Sequence, residues 1–172
     1  MNLNPFTWSF RAQCALAAAV CASLLGFAFY TQFRDVNPLN PCNLCILQRV
    51  SFFATGVVML LGALHGPKGA AGRRIYGVLG FLAAAAGVWV AGRHVWMTHL
   101  PADKVPSCGA PLDFMVEMSG YVEALKKVMT GSGECAKIDW TFLGLAMPAW
   151  VLISMTVMGT LGVLVNWPSR RR

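Results

Sequence analysis

The sequence predicts an all-α integral membrane protein, a four-helix bundle. Two observations support this prediction. The 172 residues are 56% hydrophobic and only 12% charged, whereas a soluble domain carries about 25% charged residues. Four segments are apolar over roughly 20 residues, the length at which a helix crosses a bilayer. They are residues 12–30, 45–64, 75–92 and 142–167. We interpret residues 1–172 as a single membrane domain.

The first apolar segment, residues 12–30, contains no charged residue. It is longer than the apolar core of a typical signal peptide, and no clear cleavage site follows it. We therefore expect a retained helix. Cys14 and Cys21 lie seven residues apart in this segment, and we expect both to be small buried side chains without a chemical role.

The second apolar segment, residues 45–64, contains one charge, Arg49. Just before it, Asn40 suits the cap of a helix and Pro41 suits the first helical position. The sequence therefore predicts that the second helix begins at this point. A tight basic turn then leads to the third helix, residues 75–92.

The fourth segment, residues 142–167, follows a long connection, residues 97–140. Trp140 and Trp167 bracket this helix, as aromatic residues do at membrane interfaces. Pro148 lies near its start and is expected to kink the helix rather than end it.

The long connection contains one further segment with helical periodicity. Six apolar residues recur there at spacings of three and four: Phe114, Met118, Tyr121, Val122, Leu125 and Val128. This pattern predicts a short amphipathic helix on the outer membrane surface. A helix packed on the bundle is the alternative, and either arrangement keeps the connection close to the bilayer.

The net charge of +7 is distributed unevenly along the chain. Both termini and residues 65–74 carry basic residues and no acidic residue, while all seven acidic residues lie in the other two connections. Because Lys and Arg concentrate on the cytoplasmic side, we expect both termini in the cytoplasm and periplasmic loops at residues 31–44 and 97–140. A bacterial inner membrane fits this arrangement. No basic stripe with stacking aromatics indicates nucleic-acid binding.

Four cysteines lie in the two predicted periplasmic loops, where an oxidising compartment permits disulfides. Cys42 and Cys45 form a tight pair, whereas Cys108 and Cys135 form a wide one. A C-x-x-C pair at a helix start is typical of redox centres and of metal sites, and the positive helix end favours the reactive thiolate. A disulfide of the wide pair alone would staple the loop. Four cysteines allow three pairings, among which the sequence does not choose.

Arg49 follows Cys45 by four residues and therefore lies on the same helix face, one turn deeper. A guanidinium within the hydrocarbon costs about 2.5–3.5 kcal/mol on insertion scales. A Cys45 thiolate or a polar cofactor group would offset that cost, and snorkelling to headgroups is the alternative. His94, at the outer end of the third helix, is a candidate cofactor donor. We expect no metal, because a closed zinc site would need Cys108 and Cys135, which are not a second C-x-x-C.

The run Cys-Asn-Leu-Cys-Ile-Leu-Gln-Arg, from Cys42 to Arg49, resembles the DsbB family of bacterial disulfide-bond formation proteins. The resemblance covers nearly the whole chain, with four helices, two outer loops and one cysteine pair in each loop. The run Phe-Leu-Gly-Leu-Ala-Met-Pro at residues 142–148 also resembles the family. So does the position of His94, shortly before Cys108.

The resemblance implies a quinone-dependent thiol oxidase whose partner is a DsbA-like periplasmic protein of the thioredoxin fold. By similarity, the reduced partner attacks Cys108 and forms a mixed disulfide. Cys135 is thereby released and attacks Cys42, which leaves Cys45 as a thiolate. These roles are implied by the resemblance and not by the spacing of the cysteines.

The cofactor implied by the resemblance is ubiquinone or menaquinone, which receives the electrons from Cys45. Arg49 would stabilise the thiolate and donate a hydrogen bond to a quinone oxygen, and His94 would be a second quinone contact. Arg93 beside His94 departs from the family pattern. Competition for the quinone and contact with lipid headgroups both remain open for it.

Three other functions are consistent with parts of the pattern. A quinone reductase resembling vitamin K epoxide reductase also combines four helices with a C-x-x-C, but that motif is expected late in the chain. A structural membrane subunit with stapled loops would have redox-inert disulfides. A metal-binding membrane protein would hold zinc or copper at the cysteines.

Overall fold

The computed structural model describes residues 8–35, 38–105, 110, 112–130, 133–138 and 140–166. Its helices are α1 (Phe10–Phe33), α2 (Asn43–His65), α3 (Ala70–Thr98), α4 (Leu112–Thr130) and α5 (Met147–Asn166). Short 3₁₀ turns cover Ala102–Lys104 and Gly133–Ala136, and two-residue strands form β1 (Thr141–Phe142) and β2 (Leu145–Ala146). Helices α1, α2, α3 and α5 are each long and apolar enough to cross a membrane. The predicted all-α membrane bundle is confirmed.

The bundle is arranged around α2 and α3. Helix α2 packs against α1 on one side and α3 on the other, and α3 packs extensively against α5. Within the described residues, α1 and α5 make only slight contact at most. The two ends of the bundle differ in composition. We call the end where α2 begins the cysteine end, and the end where α2 turns into α3 the basic end.

Cys14 and Cys21 are buried in the contact between α1 and α2, as predicted. Both sulfur-bearing side chains face glycines of α2. A Cβ placed on Gly62 would lie 3.3 Å from the Cys14 sulfur, and one on Gly56 would lie 3.0 Å from the Cys21 Cβ. Small residues therefore let the two helices approach closely, as is common between membrane helices.

Helix α2 begins two residues later than the predicted cap implies. Cys42 is the N-cap residue, with extended backbone (φ −70°, ψ 168°), and its carbonyl accepts a hydrogen bond from the Ile46 N–H at 3.1 Å. The prediction that Asn40 caps the helix and Pro41 opens it is wrong. The side chain of Asn43 instead donates to the Ala110 carbonyl at 3.3 Å, which ties α2 to the long connection.

Helix α3 extends beyond both ends of its predicted span, residues 75–92. It begins at Ala70 because the basic residues that interrupt the apolar run are helical too. Arg73 lies in the first turns, where its Nε donates to the Pro67 carbonyl at 3.3 Å and its guanidinium stacks over Phe10. The helix continues to Thr98, so His94 lies within its last turns.

A β-hairpin occupies the predicted start of the fourth helix. Strands β1 and β2 pair antiparallel, and both turn residues, Leu143 (φ 50°) and Gly144 (φ 79°), adopt the left-handed backbone that a tight hairpin turn favours. Helix α5 therefore begins at Met147 rather than at residue 142. Pro148 then lies in the first turn, where its missing N–H breaks no hydrogen bond. The predicted kink is wrong.

The predicted surface helix is present as α4, which is interrupted at Gly120 (φ 74°). Its buried residues, Met115, Ala124 and Val128, join the apolar cluster at the cysteine end. The other five residues of the predicted apolar stripe are exposed: Phe114, Met118, Tyr121, Val122 and Leu125. Helix α4 thus packs on the bundle with one face and presents an apolar face outward. Contact of that outer face with lipid remains a prediction.

Candidate functional site

The tight cysteine pair lies at the start of α2. Cys42 is the N-cap residue and Cys45 lies in the first turn, and both are half-buried. Their Sγ atoms are 3.2 Å apart, whereas a disulfide bond is about 2.05 Å long. The pair is therefore a dithiol in this structure. The C-x-x-C spacing across a helix start holds the two sulfurs in contact, so that oxidation to a disulfide requires little movement.

His94 of α3 lies beside this pair and is only 3% exposed. Its Nε2 atom is 3.8 Å from the Cys42 Sγ, and its Nδ1 atom is 3.1 Å from the side-chain amide nitrogen of Gln48. Gln48 is buried as well. The imidazole thus connects α2 to α3 through both ring nitrogens. Sequence reasoning placed His94 near the cysteines but missed Gln48.

Arg49 turns from α2 toward α1. Its guanidinium donates hydrogen bonds to the side-chain oxygen of Gln32 and, at 3.1 Å, to the Ala28 carbonyl. It also stacks over the Phe29 ring, 5.1 Å from the centroid. The half-buried cation is therefore held against α1 by two hydrogen bonds.

The two members of the wide cysteine pair differ in what the structure shows. Cys135 lies in the 3₁₀ turn Gly133–Ala136 and is fully buried in the apolar cluster of the cysteine end. Leu44 belongs to the same cluster, and Cys42 packs against it. The fold therefore brings Cys135 from the long connection close to the tight pair. Cys108 lies outside the described residues.

A cavity of about 800 Å³ opens beside the tight pair. On the side of the tight pair its wall is formed by Cys42, Cys45, Gln48, Arg49 and His94, and the remaining polar lining residues are Thr31, Asn40, Thr98, Glu134, Lys137 and Ser154. The opposite walls come mainly from α1, the hairpin and α5, and they are largely apolar: Leu24, Leu25, Phe27, Ala28, Trp140, Phe142, Met147, Pro148, Trp150 and Val151. This volume and this combination of apolar walls with a few polar groups are typical of small-molecule sites.

The hairpin contributes an aromatic cluster to the cavity. The rings of Trp140 and Phe142 stack at 6.0 Å, Phe27 of α1 lies 6.2 Å from Trp140, and Trp150 of α5 lies 5.8 Å from Phe142. The Trp150 indole N–H also donates to the Phe142 carbonyl at 3.0 Å, which fastens the hairpin to α5. These aromatic faces suit a flat ring.

The cavity fits a flat apolar ring that carries carbonyl oxygens. Such a ring needs apolar and aromatic walls and hydrogen-bond donors for its oxygens. Arg49 has five N–H groups. Its hydrogen bonds to Gln32 and Ala28 use two of them, so other N–H groups can donate to a molecule in the cavity. Arg93 takes no part in the cavity wall within the described residues, because its guanidinium lies over the Trp96 ring, 4.2 Å from the centroid.

Among the described residues, the arrangement also brings together three side chains of the types that can bind a metal ion. The donor atoms of Cys42, Cys45 and His94 all lie within 4.8 Å of one another. This set differs from the four-cysteine set that was considered from the sequence. Among the residues that the structure describes, Cys135 does not belong to it.

Known proteins resemble this chain over nearly its full length. The family model of the disulfide bond formation protein DsbB matches residues 10–165. A disulfide bond formation protein B of Xanthomonas euvesicatoria is 47% identical over 169 residues, which are 98% of this chain and 97% of that protein. The Xanthomonas campestris protein of the same name is 50% identical over 151 residues, 88% of this chain and 87% of the relative. That of Xylella fastidiosa (strain 9a5c) is 41% identical over 170 residues, 99% and 97% of the two chains.

These matches confirm the resemblance of the chain to the DsbB family. They also agree with the geometry, in which a dithiol lies at the end of a membrane bundle beside an apolar cavity. The family relationship carries disulfide oxidoreductase chemistry with it. The chain belongs to the DsbB family of multi-pass membrane proteins of disulfide bond formation.

Proposed function

We propose that the protein reoxidises a DsbA-like periplasmic dithiol protein and passes the electrons through its two cysteine pairs to a membrane quinone, ubiquinone or menaquinone. One observation supports this most strongly. The Cys42–Cys45 dithiol forms part of the wall of the apolar cavity, while Cys135 lies buried in the cluster against which Cys42 packs. The dithiol therefore lies between Cys135, with which it could exchange a disulfide, and the cavity, in which an apolar oxidant could bind.

The proposed exchange begins at the wide pair. A partner thiolate attacks the Cys108 sulfur, a mixed disulfide forms, and the Cys108–Cys135 bond breaks with its electron pair left on Cys135. The Cys135 thiolate then attacks Cys42, and the Cys42–Cys45 bond breaks with its electron pair left on Cys45. The second partner thiolate attacks the mixed disulfide, which releases oxidised partner and leaves Cys108 as a thiolate. The packing of Cys42 against the cluster that contains Cys135 supports the second step.

Cys45 and Arg49 are the residues that we propose to face the cofactor. Both line the cavity, and the guanidinium, held by α1, lies one helical turn along α2 from the sulfur on which we propose that negative charge develops. A quinone, when bound, supplies the electron sink by accepting two electrons and two protons. The aromatic cluster of the hairpin would hold its ring. His94 lines the same cavity, and its role as a quinone contact remains a prediction.

The gap between α1 and α5 is the proposed route from the lipid to this cavity. Both helices line the cavity, yet they barely touch each other in the described part of the chain. A lipid-soluble molecule can therefore reach the wall beside the tight pair without passing through water. The charge distribution supports a bacterial inner membrane with both termini and the basic end in the cytoplasm. We propose that residues 1–172 act there as one membrane domain.

The test is quinone reduction by the purified protein, with a reduced thioredoxin-fold periplasmic dithiol as donor. We expect wild-type turnover with ubiquinone or menaquinone. Cys108→Ser should abolish partner oxidation while the Cys42–Cys45 pair is still oxidised by added quinone. Cys14→Ala, a change at a buried cysteine far from the cavity, is the matched control and should retain turnover.

Two results would contradict the proposal. Oxidation of the partner by Cys108→Ser would show that electrons do not begin at the wide pair. A wild-type protein that reduces neither quinone, although its cysteines are intact, would favour the structural subunit with inert disulfides.

A further inference from the structure

We propose that Gln48 is a positioning residue that holds His94 in the tautomer with the proton on Nε2, so that this N–H faces Cys42. His94 then stabilises the Cys42 sulfur whenever a disulfide to Cys42 breaks and leaves a thiolate there. The place of this step in turnover rests on the proposed function. The tautomer and the hydrogen bond to Cys42 are properties of the chain alone.

The tautomer follows from the contact between Gln48 and His94. The amide nitrogen of Gln48 lies 3.1 Å from Nδ1 of His94, and an amide nitrogen only donates hydrogen bonds. Nδ1 must therefore offer a lone pair, which in a neutral imidazole places the proton on Nε2. Nε2 lies 3.8 Å from the Cys42 Sγ, so a proton on Nε2 lies next to the sulfur.

Burial makes the pair interdependent. Gln48 is 4% exposed and His94 is 3% exposed, so water does not readily replace either partner. Buried polar groups that lose their partner carry a desolvation cost. Gln48 is therefore the group that decides which imidazole nitrogen carries the proton, and the orientation of the ring is fixed at the same time.

The step that uses this N–H is the one that restores the wide pair. The Cys108 thiolate attacks the Cys135 sulfur of the Cys135–Cys42 disulfide. The Cys108–Cys135 bond forms, the Cys135–Cys42 bond breaks, and its electron pair stays on Cys42. A donor at Cys42 accelerates this departure, because a better stabilised thiolate leaves faster.

The two sulfurs of the tight pair thus have different stabilising groups. Cys42 faces the imidazole of His94, while Cys45 lies one helical turn before the cation of Arg49 on α2. Cys42 thus takes part in disulfide exchange with Cys135 of the long connection, whereas Cys45 takes part in electron transfer to the molecule in the cavity. It also assigns to Gln48 a function that its place between Leu47 and Arg49 in the sequence does not reveal.

The first test reads the tautomer directly by nitrogen NMR of ¹⁵N-histidine-labelled protein, without quinone or partner. The chain has three histidines, and loss of a signal set in His94→Asn identifies the relevant one. We expect the proton of the neutral His94 imidazole to be on Nε2 in the wild type. In Gln48→Glu the carboxylate can only accept, so Nδ1 should become protonated. A wild-type His94 protonated at Nδ1 alone, or an unchanged Nδ1 in Gln48→Glu, would overturn the proposal.

The second test measures the reactivity of Cys42 in a Cys45→Ser background. Alkylation of Cys42 is followed by peptide mass spectrometry over a range of pH, again without quinone or partner. Loss of a hydrogen bond to a thiolate should slow alkylation at neutral pH roughly tenfold in Gln48→Leu and shift the profile to higher pH. Thr55→Val removes a buried hydroxyl that bonds only within α2 and should leave the profile unchanged.

An identical pH profile in Gln48→Leu and its Cys45→Ser parent would overturn the assignment. Because both tests use the chain alone, their failure would leave quinone reduction by the wild type intact. If instead the proposed function is wrong, the wild type will not reduce quinone, but the His94 tautomer will still be as described. The two ideas therefore fail separately.

Discussion

Arg49 of α2 donates a hydrogen bond to the side-chain oxygen of Gln32 on α1, across the helix contact next to the cavity. The Ala28 carbonyl accepts a second hydrogen bond from the same guanidinium. Two acceptors on one neighbouring helix fix the direction of a long, flexible side chain. The positive charge is therefore preorganised at the cavity wall rather than recruited when a ligand arrives.

Replacing Arg49 by Ala should weaken use of the quinone more than use of the partner. The change removes a cation and a hydrogen-bond donor from the cavity wall beside the tight pair, and a hydrogen bond to a charged group contributes about 1.5–3 kcal/mol. We expect the apparent KM for quinone to rise at least tenfold, with the KM for the dithiol partner little changed. Steady-state kinetics with each substrate varied in turn will measure both. An unchanged quinone response would remove Arg49 from the site.

Replacing Gln32 by Leu should produce a milder form of the same defect. The guanidinium keeps the Ala28 carbonyl but loses its side-chain acceptor, so its direction becomes less defined. We expect an intermediate rise in the apparent KM for quinone, smaller than that of Arg49→Ala. Ser23→Ala on α1 is the control, because this hydroxyl bonds only to the Ala19 carbonyl of its own helix. Equal kinetics of Gln32→Leu and Ser23→Ala would show that the contact does not matter.

Two glycines of α3 should respond oppositely to alanine. A Cβ on Gly87 would lie 3.1 Å from the Met155 Cγ and 3.1 Å from the Ser51 Cβ, between α5 and α2, whereas one on Gly92 meets nothing within 4 Å. Both variants gain similar helix propensity, so the difference between their melting temperatures reports the effect of the added methyl group on packing. Overpacking costs about 1–3 kcal/mol, and we expect Gly87→Ala to have the lower melting temperature in detergent. Equal melting temperatures would show that the three helices adjust freely.

The four membrane helices were predictable because an apolar run of sufficient length has few other structures in a bilayer. Their ends were less predictable. Residues 142–146 are as apolar as the helix that follows, and only the left-handed backbone of Leu143 and Gly144 separates the hairpin from α5. At the start of α2, the choice between Asn40 and Cys42 as the cap depends on where Asn43 finds its partner, Ala110, far along the chain.

The sequence predicted which ionisable residues the site contains but not which neighbouring side chains bond to them. Arg49 and His94 stand out in the sequence, because charged or ionisable groups are rare within membrane helices. Gln32 and Gln48 are neutral and appear unremarkable beside them. Their importance depends on the packing of α2 against α1 and α3, which brings each amide to one particular neighbour. Sequence spacing within one helix contains no information on such pairs.

The burial of Cys14 and Cys21 between α1 and α2 gives the protein an internal reference for counting thiols. Native labelling with a water-soluble maleimide should leave these two unmodified whatever the redox state of the others. Labelling after denaturation modifies both of them and so adds two labels to every chain. The mass of the intact chain then gives the number of thiols among the remaining cysteines during turnover, and hence the number of electrons they store. The two buried thiols serve as a fixed count in every molecule.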